Sequence, residues 1–71
     1  MLGTVKWYNS KAGYGFIAPA DPRRDNIFVN AHHIALAGLD GLAAGDAIEF
    51  DIELEDRSGK PRAVRLRRAD D

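Results

Sequence analysis

Lys6-Trp7-Tyr8-Asn9-Ser10-Lys11-Ala12-Gly13-Tyr14-Gly15-Phe16-Ile17 decides the fold, and Asn26-Ile27-Phe28-Val29-Asn30 echoes it after a short loop. Four of the six aromatic residues (Trp7, Tyr8, Tyr14, Phe16) lie in the first run, and Phe28 supplies a fifth. Successive side chains on a strand point to opposite faces. Tyr14 and Phe16 therefore share one face, while Gly15 and Ile17 take the other. In the echo Ile27 and Val29 share a face, with Phe28 and Asn30 opposite. Two neighbouring strands then show water an aromatic face and give a core an aliphatic one. A wet aromatic surface edged by Lys6 and Lys11 is what stacking of unpaired bases requires.

Outward from that stretch the chain reads as short strands. Gly3 to Asn9 is the first, with Val5 inward. Strict alternation would turn Trp7 inward as well. Asn9 to Gly13 has turn composition, and Tyr14 to Ala18 forms the second strand, ended by Pro19. A loop on Asp21-Pro22 carries Arg23 and Arg24 at its exposed tip, and Asn26 to Asn30 is the third strand. From Ala31 to Gly45 the residues suit a helix, yet Gly38, Gly41 and Gly45 break it. A short turn near His32–Leu36 is expected there, with Leu36, Leu39 and Leu42 anchoring the loop over the barrel. Ile48, Phe50, Ile52 and Leu54 alternate with Glu49, Asp51, Glu53 and Glu55 in a half-buried strand. After a hairpin at Asp56–Lys60 the fifth strand runs from Pro61 to about Arg68, with Val64 and Leu66 inward. Asp46 to Asp56 carries only acids and Arg57 to Arg68 only bases, so the two outer faces should pair. Five short strands without a long helix or a repeat indicate an all-β, small five-stranded antiparallel barrel, with a long loop between strands 3 and 4.

GTVKWYN, then GYGFI, then IFVN resemble the paired ribonucleoprotein-type motifs of bacterial cold-shock proteins, which are barrels of the OB type. The likeness runs from Leu2 to about Arg68 and is densest from Gly3 to Val29. It implies a solvent-facing Trp7, which demands a bulge near Lys6. It further implies that Trp7, Phe16 and Phe28 stack bases, that Tyr8 and Tyr14 flank them, and that Lys6 meets the backbone. The chain departs from the family at Ala12, where lysine is usual, and at Asn30 and Ala31, where histidine and phenylalanine are. Leu39 replaces a loop aromatic, and Asn26 reads as one inserted residue. The candidate nucleic-acid-binding set is Lys6, Trp7, Tyr8, Lys11, Tyr14, Phe16, Phe28, Asn30 and Leu39.

An ordinary core is the plain alternative for those rings. The aliphatic set Val5, Ile17, Ile27, Val29, Ile48, Phe50, Ile52, Val64 and Leu66 already fills so small a barrel, and five more rings would overfill it. The 71 residues are expected to form one domain, residues 1–71, near the lower size for a self-supporting core. With no cysteine, disulfides and thiolate metal sites are excluded. No basic-then-apolar leader or long apolar run is present, so a cytoplasmic location off the membrane is expected. A net charge of -1 argues against binding by bulk positive charge, though not against stacking.

Neighbouring His32 and His33 do not converge on one ion, and no cofactor or small-molecule substrate is implied. The regular acidic strand facing arginines reads as an ion-paired surface rather than a hydrolase pair. No nucleophile set or phosphate-cradling loop can be assembled, so a non-enzyme is expected. Its partners are single-stranded RNA and DNA, in the manner of an RNA chaperone as the resemblance implies. The rival is a barrel turned to protein interaction through an apolar patch of Ala31, Leu36 and Leu39. Oligomeric state is not legible.

Overall fold

The computed structural model describes residues 1–69. The final two positions of the expected domain lie outside the described residues. Five strands and one short helix follow in order: β1 (Leu2–Asn9), β2 (Tyr14–Pro19), β3 (Ile27–Asn30), α1 (Ala31–Leu36), β4 (Ala47–Leu54) and β5 (Pro61–Arg68). The strands close into a barrel in the order β1-β2-β3-β5-β4. Four pairings are antiparallel, and the β3–β5 seam is parallel, joined through Phe28 and Arg62. The parallel seam follows from the connections. The chain after β3 crosses to lay β4 beside β1, and the hairpin then returns β5 alongside β3. Among the described residues no helix is long and apolar enough to cross a membrane.

The core is the inward aliphatic set. Val5, Ile17, Ile27, Val29, Ile48, Phe50, Val64 and Leu66 are buried, and Ala63, Ile34 and Leu42 join them. Ile52 is only half buried, and Leu54 is 62% exposed, so the alternation in β4 outlasts the core it was expected to face. Gly3 is fixed by packing: a Cβ there would stand 2.7 Å from Ile17 Cγ2 and 2.9 Å from Phe50 Cε1.

Two bulges shape the barrel. Between the pairs Val5↔Ile17 and Trp7↔Phe16, β1 advances two residues and β2 one, so Lys6 is the extra residue. The expected bulge is there, and it turns Trp7 outward. Between Glu49↔Arg67 and Asp51↔Val64, β4 advances two residues and β5 three. Arg65 lies in that excess with φ 51, a left-handed backbone that non-glycine residues seldom take.

The expected turn near His32–Leu36 is a helix of six residues, α1. Asn30 caps it: its backbone is extended (φ -115, ψ 163) and its side chain accepts from the His33 N–H at 3.0 Å. Gly38, at φ 76, follows its end. Ile34 is the buried residue of this turn, and Leu36, two positions on, projects the other way and is 69% exposed. Leu36 therefore does not anchor the loop. Leu42 is buried, and Leu39 packs against the core half-buried.

Candidate nucleic-acid interface

The rings gather because two strand registers and one bulge agree. Phe16 stands opposite Phe28 across β2–β3 and opposite Trp7 across β1–β2. Trp7 lies 5.4 Å from Tyr14 and 5.5 Å from Phe16, centroid to centroid. Tyr14 and Phe28 stack at 5.8 Å with 27° between planes, and Phe16 meets Phe28 edge-on at 5.9 Å. Such offset and edge-to-face pairs hold rings in place without core burial. Trp7 is 41% exposed and Tyr14 38%, while Phe16 and Phe28 are half-buried. The four rings form one continuous surface open to water.

Gly15 makes the close approach possible. A Cβ on Gly15 would overlap the carbonyl oxygen of Trp7 and stand 2.8 Å from Tyr8 Cα, both of them backbone atoms. Only a residue without a side chain lets β2 come this near β1 behind the rings.

The remaining candidates divide. Lys6 at the bulge and Lys11 in the β1–β2 turn are exposed and have no ion-pair partner among the described residues. The bulge that turns Trp7 out turns Tyr8 in, and it packs partly buried against the core. The side-chain oxygen of Asn30 is engaged as the α1 cap. Leu39 packs half-buried against the core. Ala31 is exposed, and its N–H donates to the Gly13 carbonyl at 2.8 Å, which places it beside the β1–β2 turn. The Asn30 signal was present in the sequence, since asparagine just before a helical run is a cap signature.

The charges on the other wall answer one another. Arg67 donates to Glu49 at 2.7 Å, Arg65 to Asp51 at 2.7 Å, and Arg62 to Glu53 at 2.9 Å. Arg68 reaches Asp46 at 3.2 Å. These hydrogen bonds hold the carboxyls of Glu49, Asp51 and Glu53 below their ordinary range. For Asp46 the Ala43 backbone N–H is the main cause and Arg68 adds to it. Asp21 is lowered by Arg23, which folds back onto it with two bonds at 3.1 Å. Arg24, Arg57 and Lys60, like the two lysines, have no ion-pair partner among the described residues.

The model of the 'Cold-shock' DNA-binding domain matches residues 1–69. The cold shock protein CspA of Rhizobium meliloti is 45% identical over 67 residues, covering 94% of this chain and 96% of that protein. The cold shock-like protein CspC of Shigella flexneri is 44% identical over 64 residues, covering 90% of this chain and 88% of that one. Cold shock domain-containing protein 4 of Arabidopsis thaliana is 44% identical over 64 residues, and the chain spans 31% of its length. A family match over nearly the whole chain, with an aromatic surface where that family's motifs lie, leaves one conclusion: the chain belongs to the cold-shock domain family, a family of nucleic-acid-binding barrels.

Proposed function

We propose that the chain acts as one domain that binds single-stranded RNA and DNA by stacking splayed bases on Trp7, Tyr14, Phe16 and Phe28. The observation that carries this reading is the four-ring surface, with centroids 5.4 to 6.4 Å apart and open to water. Every base has a π-face, so binding of this kind makes little sequence demand. Lys6 and Lys11 lie near the phosphates. Holding bases apart opposes RNA secondary structure, which is the work of an RNA chaperone in the cytoplasm. No catalytic step and no small-molecule substrate is part of this reading. The rival protein-interaction patch finds less support, since Leu39 packs against the core and Ala31 lies by the β1–β2 turn, five residues along α1 from the exposed Leu36.

The test is a titration of the fluorescence of Trp7, the one tryptophan, with oligothymidine at several salt concentrations. Quenching is expected. The slope of log affinity against log salt should be roughly -1 to -3, at about -0.7 per neutralised phosphate. No response at high micromolar oligonucleotide overturns the reading. A much steeper slope moves the contact surface to the arginines of β5.

A further inference from the structure

A cavity of about 500 Å³ opens at the end of the ring surface away from Trp7. Phe16 and Phe28 wall it, and Phe28 forms no close ring pair with Trp7. Its volume lies in the range of small-ligand sites. Four charged side chains from three segments line it: Asp25 before β3, Glu55 and Lys60 from the β4–β5 hairpin, and Arg62 on β5. Elsewhere on β4 and β5 acids and arginines pair off. Here Asp25, Glu55 and Lys60 form no side-chain hydrogen bond or ion pair among the described residues. Arg62 donates one bond to Glu53, but its Nε is buried without an acceptor. The buried Nε is closed to a ligand, and it is the outer end of the half-exposed guanidinium that an acceptor in the cavity can meet.

We propose that this cavity receives one nucleobase and selects guanine, with Arg62 and the carboxylates of Asp25 and Glu55 reading its edges. The proposal rests on the stacking reading above, which delivers a strand to Phe28. Guanine presents a pair of acceptors, O6 and N7, that match the fork of an arginine. Its N1–H and N2–H₂ are a pair of donors that match the two oxygens of a carboxylate. Adenine lacks the O6 acceptor, and thymine and uracil offer one donor only. Cytosine offers adjacent acceptors, N3 and O2, but only one donor group, so guanine alone combines an acceptor pair for the arginine with a donor pair for a carboxylate. Lys60 supplies charge for the adjoining phosphate. The platform then binds with little sequence demand while one position is selective.

The experiment measures the affinity of the full chain for an oligothymidine of about eight nucleotides, within the span such a domain occupies. One guanine, and separately one cytosine, is moved through every position. Guanine near one end should tighten binding about tenfold, the discrimination expected of one good bidentate pair. Cytosine at that position should do little. For Arg62→Gln the ratio of guanine-containing to plain oligonucleotide affinity, measured on that variant alone, should fall below about twofold, a loss of most of that discrimination. Glu55→Gln, on the exposed hairpin, should lower the same ratio without disturbing the fold. Binding of plain oligothymidine with no preferred guanine position overturns the cavity proposal and leaves stacking intact. A ratio retained in Arg62→Gln, or an equal gain from cytosine, also overturns it. Absence of binding by every oligonucleotide overturns stacking, and the cavity proposal with it.

Discussion

β2–β3 and β4–β5 are neighbouring strand pairs of one barrel, and both give the core an aliphatic side. They differ in what they show to water. On β2–β3 the outward residues are Tyr14, Phe16 and Phe28, which touch one another and, through the bulge, Trp7. On β4–β5 they are Glu49, Asp51 and Glu53 facing Arg67, Arg65 and Arg62. The arginines could in principle attract a phosphate backbone, but each already has a carboxylate within 2.9 Å. Charge on that wall is neutralised where it stands. The first wall keeps unsatisfied π-faces, and on the second the carboxylates take up the arginine charge, with Arg62 Nε the one buried side-chain donor among the described residues left without an acceptor. A nucleic-acid binder with net charge -1 becomes intelligible from that contrast.

The sharpest way to break the contrast is to disturb the backbone behind the rings. Gly15→Ala places a Cβ against the Trp7 carbonyl and Tyr8 Cα, neither of which can swing aside. The cost should be about 3 kcal/mol, the upper end for overpacking. That corresponds to a fall in Tm of roughly 12–24 °C for a domain this small. Gly41→Ala, where nothing lies within 4 Å of the added carbon, is the control. It should stay within about 0.5 kcal/mol of the parent. Calorimetry of both checks the claim, and equal melting temperatures would show that β1 and β2 can separate here without penalty.

Next in size is removal of a ring. Phe28→Ala should weaken single-strand binding about tenfold, because a stacked base is worth roughly 1–3 kcal/mol by such truncation. Stability should fall by less than for the buried Phe50→Ala, for which about 3–5 kcal/mol is expected. Arg67→Ala, on the paired wall, should leave affinity near the parent value. Titration and thermal melting of the three variants together decide the matter. Weakened binding by Arg67→Ala equal to that of Phe28→Ala would erase the distinction between the walls.

Parity along the strands was enough to read most of the core and the outward rings of β2 and β3. It fails where a strand gains a residue. Alternation alone places Trp7 inward with Val5; only the Lys6 bulge, implied by family resemblance, puts it with the rings. The second bulge left no mark in the sequence, because Arg65 adopts a left-handed backbone without being glycine or asparagine. β4 shows another limit, since period two persists through Leu54 although the barrel ends near Ile52. Asn30 was visible but ambiguous: an asparagine can cap a helix or bond a base, and the cap is made. Arg62 in the cavity was legible only as one of the bases of Arg57 to Arg68 that pair with the acidic strand. Its place beside Phe28 depends on the parallel seam, which no local pattern announces.

The smallest expected effects concern pH, and they separate the walls without altering a ring. Glu49, Asp51 and Glu53 have folded pKa values held below the ordinary 4.5 and 3.8 by their arginines. A depressed carboxyl contributes stability above its ordinary value and loses it as pH falls through the folded value. The paired wall should therefore weaken only below about pH 4.5, the ordinary Glu value. His33 acts earlier. Burial, helped by the Arg62 charge, lowers its pKa from 6.5, with His32 and Arg65 acting the same way and Glu53 opposing. The unfolded chain then takes a proton on His33 before the folded one does, so a slight loss begins as pH falls past 6.5. His33→Gln should remove this upper step, and Asp51→Asn should shrink the lower one. Both steps are modest, because the Arg65–Asp51 side chains are 63% and 57% exposed and salt screens them. Trp7, Phe16 and Phe28 carry no titrating group, so oligothymidine affinity should stay level between pH 4.5 and 6.5 while melting temperature drifts. An affinity that follows the melting curve step for step would mean the paired wall governs the rings, and the two faces would be one site.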